Sequence, residues 1–130
     1  MNRIIEEDVA QIISSFKHWE HFRNKTVLVS GANGFLPAYL VETFLGLDPA
    51  MNTTVIALVR NQEKALARFS NYTGNERLKI VVHDVSEPFS LNVPVHFIIH
   101  AASQASPRYF GVDPVGTLNA NVLGTINLIK

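Results

Sequence analysis

The segment Ser30-Gly31-Ala32-Asn33-Gly34-Phe35-Leu36-Pro37 carries the residue types that hold phosphate through backbone rather than side chains. Gly31 supplies a conformation that residues with a Cβ avoid, and Gly34 lets the chain come close to a bulky anion. If a helix opens at Phe35 and Leu36, their free amides donate to phosphate oxygens along the helix dipole. Gly31, Asn33, Gly34, Phe35 and Leu36 therefore form a candidate pyrophosphate-binding turn, provided that a strand precedes it and a helix follows. The alternative is a tight turn that binds nothing. Pro37 stands where the pattern has its third glycine; the first turn of a helix tolerates proline, with one donor lost and some bulk added near the anion.

Other chemistries find less support. With no cysteine there is no disulfide, thiolate nucleophile or zinc–thiolate site. His18, His21, His83 and His96 are not accompanied by a third ligand cluster, so no metal site is expected.

The elements that must position the turn are legible from periodicity. Thr26–Ser30 is a β-branched, apolar run that ends on Gly31 and reads as a strand buried on both faces. Leu36, Leu40, Val41, Phe44 and Leu45 share one face of a following helix, stopped by Gly46 and Asp48-Pro49. Residues 54–59 make a second strand, 62–69 a weaker helix, and Tyr72-Thr73-Gly74-Asn75 a turn. Residues 78–83 and 95–100 read as a third and a fourth strand, with no good helix between them. From Pro114 the positions Val115, Leu118, Val122, Ile126 and Ile129 predict a long helix still running at Lys130, so the end reads as artificial. Ahead of all this, Ile5, Val9, Ile12, Ile13, Phe16 and Trp19 recur at helical spacing, as a core-facing stripe or a partner-binding one.

Short apolar strands alternating with helices predict an α/β, Rossmann-type three-layer fold with a parallel sheet in the order 3-2-1-4. Residues 1–24 are read as a helical extension and 25–130 as the N-terminal part of a dinucleotide-binding domain. In that setting Val59 occupies the place where NAD-selective strands end in an acid, and Arg60 follows it. Arginine accommodates a 2′-phosphate, so these two residues by themselves favour NADP; the alternative is a solvated strand-end charge.

A chain of 130 residues with 47% hydrophobic and 17% charged residues fits one domain with a real core. Eleven basic residues offset eleven acidic ones, which recommends a small-molecule partner over nucleic acid or a membrane surface. Acids near the start interrupt any signal-like apolar run, and a cytoplasmic protein is expected.

Four ordered motifs then resemble the extended short-chain dehydrogenase/reductase family of NAD-dependent nucleotide-sugar epimerases, dehydratases and decarboxylases, over residues 25–130. They are Gly31-Ala32-Asn33-Gly34-Phe35-Leu36, Asp84-Val85, His100-Ala101-Ala102-Ser103 and Asn121-Val122-Leu123-Gly124-Thr125. The resemblance implies that Asp84 meets the adenine amino group, with Val85 packing on the ring. It also implies that Ala101, Ala102 and Ser103 let ribose or pyrophosphate lie against the backbone, and that Asn121 shapes the helix beside the active site. Plain readings remain beside these: a strand-ending turn for Asp84, core packing for the alanines, a solvent-facing side chain for Asn121. Ser103-Gln104-Ala105-Ser106-Pro107-Arg108-Tyr109 with Asp113-Pro114 is most similar to the UDP-glucuronate decarboxylase and dTDP-glucose 4,6-dehydratase branch. By that likeness Arg108 and Tyr109 face the sugar nucleotide; otherwise they sit on a proline-stiffened surface loop.

The family's chemistry uses a tyrosine with a lysine four residues later, and Tyr39, Tyr72 and Tyr109 are followed there by Thr43, Glu76 and Asp113. This chain is therefore expected to lack the catalytic pair and to be inactive alone. The implied cycle oxidises a sugar ring to a transient ketone and reduces it again. The branch implies NAD as working cofactor, with NADP left open by Arg60. A homodimer is implied for the full-length protein, and self-association is expected of the fragment. The competing reading is a non-catalytic nucleotide sensor or scaffold.

Overall fold

The computed structural model describes residues 2–102 and 112–129. Its centre is a four-stranded parallel sheet of β1 (Thr26–Ser30), β2 (Thr54–Val59), β3 (Leu78–Val82) and β4 (Phe97–His100), in the order β3-β2-β1-β4. The expected topology and the first two strand boundaries are thus reproduced.

Alternation along the strands builds the layers. Val27 and Val29 of β1, with Val55, Ala57 and Val59 of β2, face α2 (Phe35–Leu45) and α3 (Gln62–Arg68) and join Ala38, Val41, Leu45, Ala65 and Phe69. Leu28, Ile56 and Leu58 point the other way and pack with Val85 and Leu128. Both central strands are covered on both faces, which is why they read as unbroken apolar runs.

Two helical faces differ from the sequence reading. In α2 the buried residues are Ala38, Val41, Glu42, Thr43, Phe44 and Leu45, whereas Leu36 is 70% exposed. The helix is apolar around most of its circumference, so the pattern could not choose its inner face; small Ala38 and Val41 lie against the sheet instead. The C-terminal helical stretch consists of α4 (Pro114–Leu118), a π-helical turn (Asn119–Leu123) and α5 (Gly124–Ile129). The residues that revealed its period, Val115, Leu118, Val122, Ile126 and Ile129, are exposed, and Gly124 and Leu128 face the sheet. The π turn adds one residue to the repeat and shifts the buried phase.

The N-terminal helix α1 (Arg3–Ser15) is capped by the Asn2 side chain, which accepts from the Ile4 amide at 2.8 Å. It packs on α2 through Val9 and Ile13, and Gly46 admits both: a Cβ there would lie 3.0 Å from Val9 Cγ1 and 3.2 Å from Ile13 Cδ1. Trp19 joins Phe22 and Phe44 and donates its indole N–H to the Ile13 carbonyl at 2.8 Å. The stripe is core at Val9, Ile13 and Trp19; Ile12 and Phe16 remain exposed.

Candidate cofactor site

β1 delivers the chain to Gly31, which takes the left-handed φ of +64°. A Cβ at this position would lie 2.8 Å from the Ala101 carbonyl oxygen and from Ala102 N and Cα. Glycine is thus required twice, by its dihedral and by the backbone beyond β4 that closes over it. The Gly34 amide donates to the Gly31 carbonyl at 2.9 Å and completes the turn into α2.

The opening of α2 differs from those of α1, α3 and α4. Asn2, Asn61 and Asp113 each place a side-chain oxygen on a first-turn amide of their helix. Gly34 has no side chain to do so, and Pro37 has no N–H. The Phe35 and Leu36 amides therefore stand at the positive end of an 11-residue helix without a side-chain cap. Their side chains are 77% and 70% exposed, so what these residues offer an anion is backbone.

The remaining candidates gather around this turn at the carboxyl ends of the strands. Asn33 donates from Nδ2 to the Asn61 carbonyl at 3.1 Å, tying the turn to the loop after β2, and its buried Oδ1 has no hydrogen-bond partner among the described residues. Arg60, at the end of β2, is exposed and makes no hydrogen bond or ion pair among the described residues. Asp84 follows β3, exposed, with Oδ1 accepting from the Ser86 amide at 2.9 Å. Val85 beside it is buried, and its carbonyl accepts from Asn127 Nδ2 at 2.8 Å. Ala101 and Ala102 lie against Gly31. Asn121 is exposed on the π turn. Ser103, Arg108 and Tyr109 lie outside the described residues.

The sequence reading passed over two residues. Ser30 and His100 are register partners at the ends of β1 and β4. Ser30 Oγ, fully buried, accepts from the Ala101 amide at 2.9 Å and the Ala102 amide at 3.1 Å and lies 2.7 Å from His100 Nδ1. Both residues sit inside quoted motifs, but 70 residues separate them and spacing could not join them.

Beside the turn, a hollow of about 480 Å³ is walled by Asn33, Gly34 and Phe35, by Ile4 and Ile5 of α1, and by Tyr39 and Arg68. The Tyr39 hydroxyl donates to Asp8 Oδ2 at 2.9 Å, and that bond holds its pKa above the ordinary phenol value. Among the described residues no cluster of three His, Cys, Asp or Glu side chains could hold a metal, and no helix is long and apolar enough to cross a membrane.

Residues 27–130 match the NAD dependent epimerase/dehydratase family. The chain belongs to this family. Curated relatives include UDP-glucuronic acid decarboxylase 3 of Arabidopsis thaliana, 32% identical over 109 residues, covering 82% of this chain and 30% of the relative. Another is UDP-glucuronic acid decarboxylase 1 of Xenopus tropicalis, 28% identical over 125 residues, 96% of this chain and 28% of the relative. The chain thus spans less than a third of these relatives. Among solved structures, Pen from Bacillus thuringiensis superposes with a TM-score of 0.71 at 19% identity, over 83% of this chain and 33% of the other. A short-chain dehydrogenase/reductase from Brucella melitensis gives 0.62 at 20% identity, over 83% and 50%. These similarities support the α/β fold of short-chain dehydrogenases.

Proposed function

We propose that this chain binds a nicotinamide dinucleotide for an enzyme that remodels a nucleotide sugar through a transient ketone, with UDP-glucuronate decarboxylation as the reaction. The observation that carries the reading is the side-chain-uncapped start of α2 beside the left-handed Gly31, at the carboxyl edge of a parallel sheet. The names of the curated relatives support the substrate class.

The residues present fit such a cofactor. The Phe35 and Leu36 amides would hold the pyrophosphate, with Gly31 supplying the left-handed turn and Gly34 letting the chain come close to it. Asn33 keeps a buried Oδ1 that has no hydrogen-bond partner among the described residues, and Asp84 keeps carboxylate capacity beyond the Ser86 amide for an adenine amino group. Val85, Ala101, Ala102 and Ser103 would line the adenine and ribose path; Arg108 and Tyr109 would meet sugar or phosphate oxygens. When bound, the dinucleotide supplies a hydride acceptor that later returns the hydride. The chain's own residues bind and orient; proton transfer belongs to the family's tyrosine–lysine pair, which none of Tyr39, Tyr72 and Tyr109 provides.

Arg60 decides between the two dinucleotides in a measurable way. We take NAD as the working cofactor, with Arg60 resting on adenine or in solvent. Calorimetric titration of NAD and NADP into wild type and Arg60→Ala tests this: binding of both, with NAD affinity unchanged in the variant, is expected. A strong NADP preference abolished in the variant would reverse the choice of cofactor. Failure of both to bind would remove the cofactor reading altogether.

A further inference from the structure

The π turn and His100 meet at one atom, the Ala120 carbonyl oxygen. In a continuous α-helix the Gly124 amide would donate to Ala120. Here it donates to Asn119, one residue further back, so the Ala120 carbonyl loses the Gly124 amide as its α-helical donor. That oxygen lies 2.9 Å from His100 Nε2.

The hydrogen positions follow from what each group can offer. Ser30 Oγ has two acceptor sites and one hydrogen. The Ala101 and Ala102 amides occupy the acceptor sites, which leaves the hydroxyl hydrogen for His100 Nδ1. A nitrogen that accepts there must carry its hydrogen on Nε2, and a carbonyl oxygen can only accept. The chain of bonds therefore runs in one direction: amides of the segment that closes over Gly31, Ser30 hydroxyl, His100 ring, Ala120 carbonyl.

Close approach of α5 makes the last link reachable. A Cβ on Gly124 would lie 2.9 Å from Val85 Cγ2 and 3.3 Å from His100 Cε1, so glycine alone lets the helix settle on the sheet at this height. Asn121 is the next residue after Ala120 and is exposed on the same turn.

We propose that His100, held as the Nε2–H tautomer, is a positioning residue that latches the π turn through the Ala120 carbonyl and so fixes where Asn121 stands relative to the Gly31 turn. The latch is a property of this chain by itself. Its bearing on catalysis rests on the cofactor reading above.

The test uses the whole 130-residue chain. Nitrogen-15 shifts of the His100 ring are read first, on wild type: a pyridine-like Nδ1 and a pyrrole-like Nε2 are expected, and a hydrogen on Nδ1 or on both nitrogens would overturn the proposal. Scalar coupling across hydrogen bonds then reports the acceptor of the Gly124 amide. Coupling to the Asn119 carbonyl is expected in wild type. In His100→Asn, which keeps an acceptor for Ser30 and loses the reach to Ala120, coupling should move to the Ala120 carbonyl. His100→Gln, whose amide N–H can reach Ala120, should restore the Asn119 coupling. Persistence of the π turn in His100→Asn would overturn the latch. If the variants do not fold, the wild-type tautomer decides. NAD affinity is measured alongside, with roughly tenfold weaker binding expected in His100→Asn. A wild type that fails to bind NAD sinks the cofactor reading and leaves the tautomer and coupling results to judge the latch.

Discussion

Gly31 and Gly74 both adopt a left-handed backbone, at φ +64° and +82°, but in opposite surroundings. A Cβ on Gly74 would meet nothing within 4 Å, while on Gly31 it would meet three backbone atoms at 2.8 Å. Alanine at either site stiffens the unfolded chain alike and carries a similar dihedral strain, on the order of 1 kcal/mol. The difference between the two substitutions therefore isolates the clash. Backbone atoms cannot rotate away as a side chain can, so relief requires the β1–α2 turn to move off the end of β4. That movement would also stretch the Ala101 and Ala102 bonds to Ser30 Oγ. We expect Gly74→Ala to lose about 1 kcal/mol and Gly31→Ala about 2 kcal/mol more, within the usual range for overpacking. With a urea slope of about 2 kcal/mol/M the midpoints should differ by about 1 M. Urea unfolding followed by circular dichroism measures both. Equal losses would show that the segment after β4 does not close on the turn as described.

Three further outcomes follow from the packing. Glu42, 1% exposed, pairs in bidentate fashion with Arg68 at 2.8 and 3.1 Å, and Arg68 is partly in solvent. Arg68→Ala should cost about 3 kcal/mol by leaving a buried carboxylate alone, more than Glu42→Ala, and equal losses in urea titrations would contradict that account. Burial, and then the nearby Glu42 charge, push the Tyr72 pKa up to about 12. The unfolded phenol ionises first, so stability should fall as pH rises from about 10 toward 12, and Tyr72→Phe should flatten this decline; thermal melts near pH 9 and near pH 11 give the comparison, with parallel declines counting against it. Val115, Leu118, Val122 and Ile126 form an exposed apolar face, and Phe97 and Ile98 lie on the outermost strand on their side of the sheet, so light scattering should show mass rising with concentration. A monomer throughout would refute that expectation.

The parts of this fold that the sequence revealed are those with one physical cause each. β1 and β2 are buried on both faces, so they appear as continuous apolar runs bounded by Gly31 and Arg60. The Gly31 turn is visible because one short segment holds all its parts. The inner face of α2 was hidden, since Leu36 and Leu40 are as apolar as the Val41 and Leu45 that are buried. The π turn leaves no mark in a periodicity that its own extra residue disturbs. Ser30, His100 and Gly124 form a site only after β4 has crossed to lie beside β1, and no local spacing encodes that contact. Asp84 and Asn121 are exposed, just after β3 and on the π turn.

The central claim is that the turn from Gly31 to Leu36 binds a dinucleotide pyrophosphate. Titrating NAD into isotope-labelled chain while following every backbone amide tests it most directly. Saturable shifts should concentrate on Gly34, Phe35 and Leu36 and extend to Ala101 and Ala102, and Gly34→Val should abolish them while leaving the rest of the spectrum folded, because a branched side chain would occupy the space of the pyrophosphate. Shifts that avoid this turn, or that survive Gly34→Val with unchanged affinity, would contradict the claim.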